Sequence, residues 1–305
     1  MNVSRFWCVL GLLVLVTGCG SQLPADVAPN LERAQRIRTE IDAGGAGAAA
    51  ATVVTVEPTG WATLTGTFKI VGTPPADEPV KPTQDLATCA PGGKAPVPGT
   101  MLVSGDGGLA NVLVFLTTKA PAEGAENWEH PGFVAQKDAT LTTPFDQKDC
   151  IFLSRIFPLR STQSVQVKNS DNVGHNANIQ PKGGATPQNF TIPGGQAVLY
   201  KPGGAEDAPF PVSCSIHPWM KSWMISRDNP YFAISDASGA FKIENLPAAE
   251  GLKLEFRGWH ERANFLQNVT VDGEPVAWKK GRFEVELAPG ETKNLEITID
   301  ATQFK

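Results

Sequence analysis

Residues 214–220 read Cys-Ser-Ile-His-Pro-Trp-Met. This short segment carries a thiol at Cys214, an imidazole at His217 and a thioether at Met220, each three residues from the next. Pro218 fixes one backbone dihedral within it, which stiffens the loop. Three side chains that ligate metals are therefore held in one tight turn of the chain.

The same three side chains are typical of a blue-copper centre. Copper as Cu(I) prefers sulfur and binds imidazole in both oxidation states, and such a centre combines two His and one Cys with a weak axial Met. The second imidazole must come from elsewhere, and His175, in the stretch Asn-Ser-Asp-Asn-Val-Gly-His-Asn at 169–176, is the candidate. The chain has four His in all, too few to build easily the second copper site of a copper nitrite reductase.

The N-terminus predicts an export signal. Arg5 is followed by an apolar run over 6–16 and then by Val-Thr-Gly-Cys, which fits a signal peptide over residues 1–18. The last four residues resemble a bacterial lipobox, and this implies that Cys19 is lipidated as the first mature residue. A plain secretory signal without lipidation is the alternative. The predicted location is the bacterial cell envelope, lipid-anchored and facing the periplasm or the exterior.

The remaining cysteines support a metal ligand. Cys8 leaves with the signal peptide, and the exported compartment permits disulfides. Cys89 and Cys150 can pair, which leaves Cys214 as an odd thiol that a metal would occupy. The competing interpretation pairs Cys214 with one of the other two and makes His217 a surface residue.

Composition limits the function classes. The 305 residues suffice for two ordinary domains, and 30 Gly with 25 Pro interrupt the chain too often for long helices. A net charge of −5 argues against binding nucleic acid. Residues 19–60 are predicted to be a flexible linker, because the small residues at 43–51 bury little apolar surface.

From Trp61 onward the pattern is that of short strands separated by turns, which predicts an all-β fold of β-sandwiches. Loops at one end of a sandwich could bring His175 and Cys214 together. The predicted strands lie at 61–71, 110–117, 164–168, 198–200, 222–225, 232–234, 240–243, 253–256, 282–287 and 294–299.

Around its ligand motifs the chain resembles the cupredoxins, the amicyanin type most closely. The resemblance is strong over 150–226 and implies a Greek-key β-sandwich after the leader, with one type 1 copper held by equatorial His175, Cys214 and His217 and by axial Met220. It also implies supporting roles around these ligands for Asn176, Pro218 and Trp219. A protein of this kind is an electron carrier and not an enzyme, and its expected partner is an exported redox protein such as a cytochrome or a dehydrogenase.

The later part resembles the methylamine utilization protein-like exported proteins and, within them, a carboxypeptidase regulatory-like, transthyretin-like β-sandwich. This predicts a cupredoxin-like domain over 61–228 and a second sandwich over 229–305. The second sandwich could share 61–120, with the copper region as an insertion, and both topologies stay open. The motifs that carry the resemblance are 229–232 (Asn-Pro-Tyr-Phe), 239–247 (Gly-Ala-Phe-Lys-Ile-Glu-Asn-Leu-Pro) and 259–261 (Trp-His-Glu).

Two other functions remain open: a non-redox binding or scaffold module for a carbohydrate or protein ligand, and copper storage or delivery. His260 beside Glu261 is a weaker candidate, either for a metal site or for a hydrogen-bonded structural pair. Trp223 could line an electron exit or the core, and Met224 is a rival to Met220 as axial ligand.

Overall fold

The computed structural model describes residues 56–121 and 124–305. The predicted signal peptide, Cys8, the lipidation site Cys19 and the linker up to residue 55 lie outside the described residues. The described part is built from nineteen strands, numbered β1 to β19 in chain order, with only single-turn helical segments between them. The predicted all-β fold is therefore confirmed, and the helices found here are too short to cross a membrane.

The first sandwich is formed by consecutive strands between residues 145 and 227. Its two sheets enclose one hydrophobic cluster that includes Phe145, Leu159, Val212 and Met224. One sheet has the order β5 (Ile156–Arg160), β11 (Lys221–Arg227), β10 (Phe210–Ser213), β7 (His175–Ile179) and β8 (Gln188–Ile192). The other has the order β4 (Ile151–Phe152), β3 (Phe145–Lys148), β6 (Val165–Asn169) and β9 (Ala197–Tyr200).

The second sandwich combines strands from both ends of the described chain around a separate core. One sheet has the order β13 (Ala240–Ala248), β1 (Gly60–Val71), β19 (Thr292–Asp300), β16 (Asn268–Val271) and β17 (Glu274–Ala277). The facing sheet has the order β12 (Phe232–Ile234), β2 (Leu113–Leu116), β14 (Lys253–His260) and β15 (Asn264–Phe265), and β18 (Arg282–Glu286) also pairs with β14.

Strand β1 lies between β13 and β19 in the first of these two sheets. Every second residue from Ala62 to Ile70 is buried, which is the alternation of a strand with one face on a core. It pairs antiparallel with β13 and parallel with β19. The domain bounds predicted above stay a prediction, but these pairings join β1 and β2 to strands that follow residue 231.

The two sandwiches contact each other through a small apolar cluster and an ion pair. The cluster contains Leu113, Phe115 and Trp259 from the second sandwich and Ile156 and Ile225 from the first. Beside it the guanidinium of Arg155 donates two hydrogen bonds, both 2.7 Å long, to the carboxylate of Glu261. Both of these side chains are buried.

Two short helical turns lie in the connections that precede β2 and β3. Leu86–Cys89 lies in the long connection between β1 and β2, and Pro131–Val134 lies in the connection between β2 and β3. A disulfide joins Cys89 to Cys150, which precedes β4. The connection between β1 and β2 is therefore covalently attached to the first sandwich.

Candidate metal centre

The predicted ligands lie at one end of the first sandwich. His175 is the first residue of β7, while Cys214 directly follows β10 and Met220 directly precedes β11. The turn between β10 and β11, residues 214–220, is called the ligand turn below. It is closed by backbone hydrogen bonds from the Cys214 N–H to the Met220 carbonyl at 3.2 Å and from the Met220 N–H to the His217 carbonyl at 2.9 Å. Because β7 and β10 are hydrogen-bonded neighbours, the two pieces of chain meet at the sheet end.

Three of the four predicted ligands converge. The Nδ1 atoms of His175 and His217 are 2.8 Å apart, and His217 Nδ1 is 3.9 Å from Cys214 Sγ. One ligand atom from each of the three residues lies within 4.8 Å of the other two. All three side chains are buried. The structure thus brings His175 next to Cys214 and His217, which lie about forty residues further along the chain.

Met220 is buried in the same hydrophobic cluster as Cys214. Its backbone closes the ligand turn, as described above. The assignment of its sulfur as the axial ligand stays a prediction. The rival, Met224, lies on β11 with its side chain in the core, four residues further along the chain.

The environment of Cys214 favours a thiolate. Its Sγ accepts hydrogen bonds from the backbone N–H groups of Asn176 and His217, each at 3.3 Å. Burial alone raises the pKa of a thiol, but the neighbouring His175 and these N–H donors outweigh it and leave the pKa of Cys214 lowered. A thiolate is the form that binds a metal.

His175 is held by a carboxylate on its other ring nitrogen. Its Nε2 lies 2.7 Å from Asp171 Oδ2, and Asp171 is fixed in turn by the backbone N–H groups of Asp149 and Cys150. Burial lowers the pKa of the His175 imidazole, but Asp171 and the Cys214 thiolate more than offset it and raise that pKa to about 9. A metal at Nδ1 therefore has to displace a proton from this ring.

His217 has a carboxylate partner as well. Its Nε2 lies 2.8 Å from Asp85 Oδ2, and Asp85 precedes the helical turn Leu86–Cys89. Burial lowers the pKa of the His217 imidazole and the Asp85 hydrogen bond only partly offsets it, so that the pKa is lowered. Each imidazole thus directs Nε2 to a carboxylate and Nδ1 to the centre of the cluster.

The residues expected to support the ligands lie around the same turn. Asn176 accepts a hydrogen bond from the Ser215 N–H, which ties β7 to the ligand turn. Pro218 is exposed. Trp219 packs 5.0 Å from the His217 ring, measured between centroids, and its Nε1–H donates to the Cys150 carbonyl at 3.1 Å.

The cysteines follow the predicted scheme in which Cys89 pairs with Cys150 and Cys214 stays unpaired. Cys89 and Cys150 form a disulfide with a 2.00 Å S–S bond. Of the cysteines in the described part of the chain, only Cys214 is free, and it is buried. The alternative that pairs Cys214 with another half-cystine is not what the structure contains.

The weaker candidates have structural partners. Glu261 binds Arg155 and not its neighbour His260. The His260 ring is fully buried, accepts a hydrogen bond at Nδ1 from the Arg262 N–H at 3.2 Å, and leaves Nε2 without a partner. Trp223 packs on Trp259 of the second sandwich, with 5.1 Å between ring centroids.

Sequence reasoning missed both carboxylates. Asp171 precedes His175 by four residues in the stretch quoted above, and that spacing could have suggested it. Asp85 is 132 residues away from His217. Its only sequence signal is its position close to Cys89, since a disulfide from that cysteine to the first sandwich would bring it near the site.

The donor set fits copper. Two imidazole nitrogens and one thiolate sulfur, all buried, are the ligand types of a type 1 copper site, and a soft thiolate beside imidazole selects copper or zinc over magnesium or calcium. Both imidazoles also have the carboxylate partner that orients metal-bound His in proteins.

No family model matches the chain, and no curated protein matches it. Solved structures that are similar to part of it include the following three. The Cu-containing nitrite reductase NirK from Thermus scotoductus SA-01 is 18% identical with a TM-score of 0.26, and the match covers 28% of this chain and 22% of that one. The Cu(I) form of an amicyanin variant is 15% identical with a TM-score of 0.25, and the match covers 37% of this chain and 98% of that one. A purple cupredoxin from Nitrosopumilus maritimus is 16% identical with a TM-score of 0.21, and the match covers 25% of this chain and 81% of that one.

Proposed function

We propose that the protein is an exported, membrane-anchored type 1 copper protein that transfers single electrons and is not an enzyme. The observation that carries the proposal is the buried convergence of His175 Nδ1, His217 Nδ1 and Cys214 Sγ. The lipobox-like sequence ending at Cys19 supports the anchor. The proposed partner is another exported redox protein, such as a cytochrome or a dehydrogenase.

The residues of the site suit such a role. When bound, copper would supply a one-electron step between Cu(I) and Cu(II). His175, Cys214 and His217 would hold it, with Met220 proposed as the axial ligand. Strands β7, β10 and β11 fix the backbone on either side of these residues, so the ligands need little rearrangement when the charge changes.

The surrounding groups tune the ligands and exclude water. Two backbone N–H groups point at Cys214 Sγ, and such hydrogen bonds to the sulfur influence the reduction potential of a copper–thiolate site. Burial of the cluster keeps bulk water away from the ligands. With its Nε2 bound to Asp171, His175 keeps Nδ1 directed at the cluster.

The test is spectroscopic. The copper-loaded protein is expected to be intensely blue, to show narrow hyperfine splitting in electron spin resonance, and to cycle between its two oxidation states without losing metal. Cys214→Ser should abolish the blue colour, because the thiolate is the source of the charge-transfer band. Met220→Leu should alter the spectrum, whereas the matched control Met224→Leu should not.

Three results would count against the proposal. If the blue spectrum is unchanged in Cys214→Ser, the thiolate of Cys214 is not a copper ligand. A protein that binds no copper would favour the scaffold function. Copper that is released on each reduction would favour storage or delivery.

A further inference from the structure

We infer that Asp85 is a positioning residue for the metal centre, delivered by a segment of chain that is covalently tied to the first sandwich. The inference deepens the proposed copper function and rests on it. Asp85 Oδ2 lies 2.8 Å from His217 Nε2, on the opposite side of the ring from the Nδ1 atom that faces His175. Asp85 therefore contacts a ligand and not the cluster itself.

The hydrogen bond decides which nitrogen of His217 is free to bind. A neutral imidazole carries its proton on one nitrogen and a lone pair on the other. The carboxylate of Asp85 can only accept, so it selects the form with the proton on Nε2 and the lone pair on Nδ1. A carboxylate in this position also makes the ligand nitrogen more basic.

The segment that carries Asp85, residues 84–89, is called the cover segment below, and its other contacts also lead to the metal site. The Gln84 side chain donates to the carbonyl of Ile216 within the ligand turn. The hydroxyl of Thr88 donates to the Asn172 side chain at 2.8 Å, in the loop that precedes His175. Cys89 is bonded to Cys150, whose N–H also holds Asp171.

These contacts hold Asp85 in place beside His217. The cover segment reaches both loops that supply ligands and is tied at one end by the disulfide. His217 is fully buried, whereas the Asp85 side chain is 41% exposed, so Asp85 lies between the imidazole and solvent. One carboxylate thus orients the ligand and shields its outer edge.

The backbone of Asp85 determines which substitutions are informative. Its φ of 50° and ψ of 38° lie in the left-handed region, which Asp, Asn and Gly tolerate and Ala does not. Asp85→Gly removes the acceptor without backbone strain. Asp85→Asn keeps an acceptor oxygen but removes the charge. Glu78→Gln, at an exposed position on the same connection, is the matched control for loss of a surface carboxylate.

The first measurement needs no metal. The variant His175→Phe removes the ring N–H that can itself donate to His217 Nδ1, and it is the background for this measurement. In that background, at a pH where the ring is neutral, nitrogen NMR of the metal-free protein should show the His217 proton on Nε2, both without a further change and with Glu78→Gln. Adding Asp85→Gly should give a mixture of the two ring forms. A His217 ring that stays fixed on Nε2–H after Asp85→Gly is added would overturn the inference.

The second measurement uses the copper-loaded protein. Asp85→Gly should weaken copper binding by about 10–100-fold, the usual effect of removing such a partner. Asp85→Asn should restore part of the affinity but raise the reduction potential, because a neutral amide stabilises Cu(II) less than a carboxylate does. A purely structural role would leave the potential of Asp85→Asn unchanged, and that outcome would refute the positioning role.

The third measurement tests the delivery. The double variant Cys89→Ala/Cys150→Ala should weaken copper binding in the same way, and adding Asp85→Gly to it should cost little more, since the two changes remove the same contact. Fully additive losses would contradict delivery by the cover segment. If the wild type binds no copper at all, the proposed function fails, whereas copper binding that is equal in the wild type and in both Asp85 variants refutes only the role of Asp85.

Discussion

The protein buries the imidazole of His260 in its neutral form. The ring is fully buried, and both Arg262 and Arg155 lie near enough to oppose its protonation. Burial, followed by these two cations, lowers the pKa of His260 from 6.5 to about 3. The ring therefore stays neutral in the folded protein down to strongly acidic conditions.

This burial predicts acid sensitivity. The unfolded chain binds a proton at His260 below pH 6.5, but the folded protein does so only near 3, so stability is lost as the pH falls through that window. His260→Asn keeps an acceptor for the Arg262 N–H but does not titrate. Between pH 6 and 4 the free energy of unfolding should fall with decreasing pH in both proteins, but less steeply in His260→Asn. The two slopes should differ by about 1.4 kcal/mol per pH unit. The free energies are measured by denaturant unfolding at a series of pH values. Equal slopes of free energy against pH for the two proteins would contradict the prediction.

The cluster of His175, Cys214 and His217 could be predicted from residue types, because copper requires a particular set of donors and the spacing of Cys214, His217 and Met220 is specific. The carboxylates that orient the two imidazoles could not. Aspartates are common on protein surfaces, and nothing in the spacing links Asp85 to a His that is 132 residues away. Only the folded backbone brings them together.

Among the elements, β1 shows how closely the second sandwich is packed. Gly66 lies on its buried face between β13 and β19. A Cβ atom there would lie 2.6 Å from the Leu295 carbonyl oxygen and 2.6 Å from the Phe241 ring. Backbone oxygen cannot move away as a flexible side chain could, so this position requires glycine for space.

Gly66→Ala should therefore destabilise the protein by about 1–3 kcal/mol, the usual cost of overpacking a core. The control is Gly105→Ala, because a Cβ atom at Gly105 would meet nothing within 4 Å. That control should change the free energy of unfolding by less than about 0.5 kcal/mol. Thermal or denaturant unfolding of the two variants measures the difference, and an equal effect would show that the β1–β19 contact can relax.

Alternation predicted many strands well but not their neighbours. The predicted strand at 164–168 is found as Val165–Asn169, and the one at 294–299 as Thr292–Asp300. Periodicity reports which face of a strand is buried and not which strand lies beside it. The parallel pairing of β1 with β19 was accordingly not foreseen. Strands without a predicted counterpart are β3, β4, β5, β7, β8, β10, β15, β16 and β17.

At the scale of the whole molecule, the two sandwiches are joined by a buried ion pair. Arg155 precedes β5 of the first sandwich, and Glu261 follows β14 of the second. Their two hydrogen bonds are short and both side chains are buried, so neither charge has water as an alternative partner. Removing one member leaves the other charge without compensation.

Arg155→Met should therefore lower the free energy of unfolding by about 3–5 kcal/mol. The double variant Arg155→Met/Glu261→Met removes both charges and should be considerably less destabilised than the single variant, because a well-packed apolar pair can replace a buried ion pair at little cost. Denaturant unfolding of wild type, both single variants and the double variant completes the cycle. Strictly additive losses would mean that the two groups do not act as a pair.

The position of β1 also sets an order of assembly during synthesis. Thr65 on β1 contacts Lys293 on β19, 228 residues later, whereas the strands of the first sandwich all fall between residues 145 and 227. A growing chain can therefore complete the first sandwich, with the cover segment already made, before β1 has paired with its parallel neighbour β19. Contacts so distant in sequence form slowly. Loss of β19 by early termination would expose an apolar sheet edge to aggregation, although every residue of the ligand cluster would already have been translated.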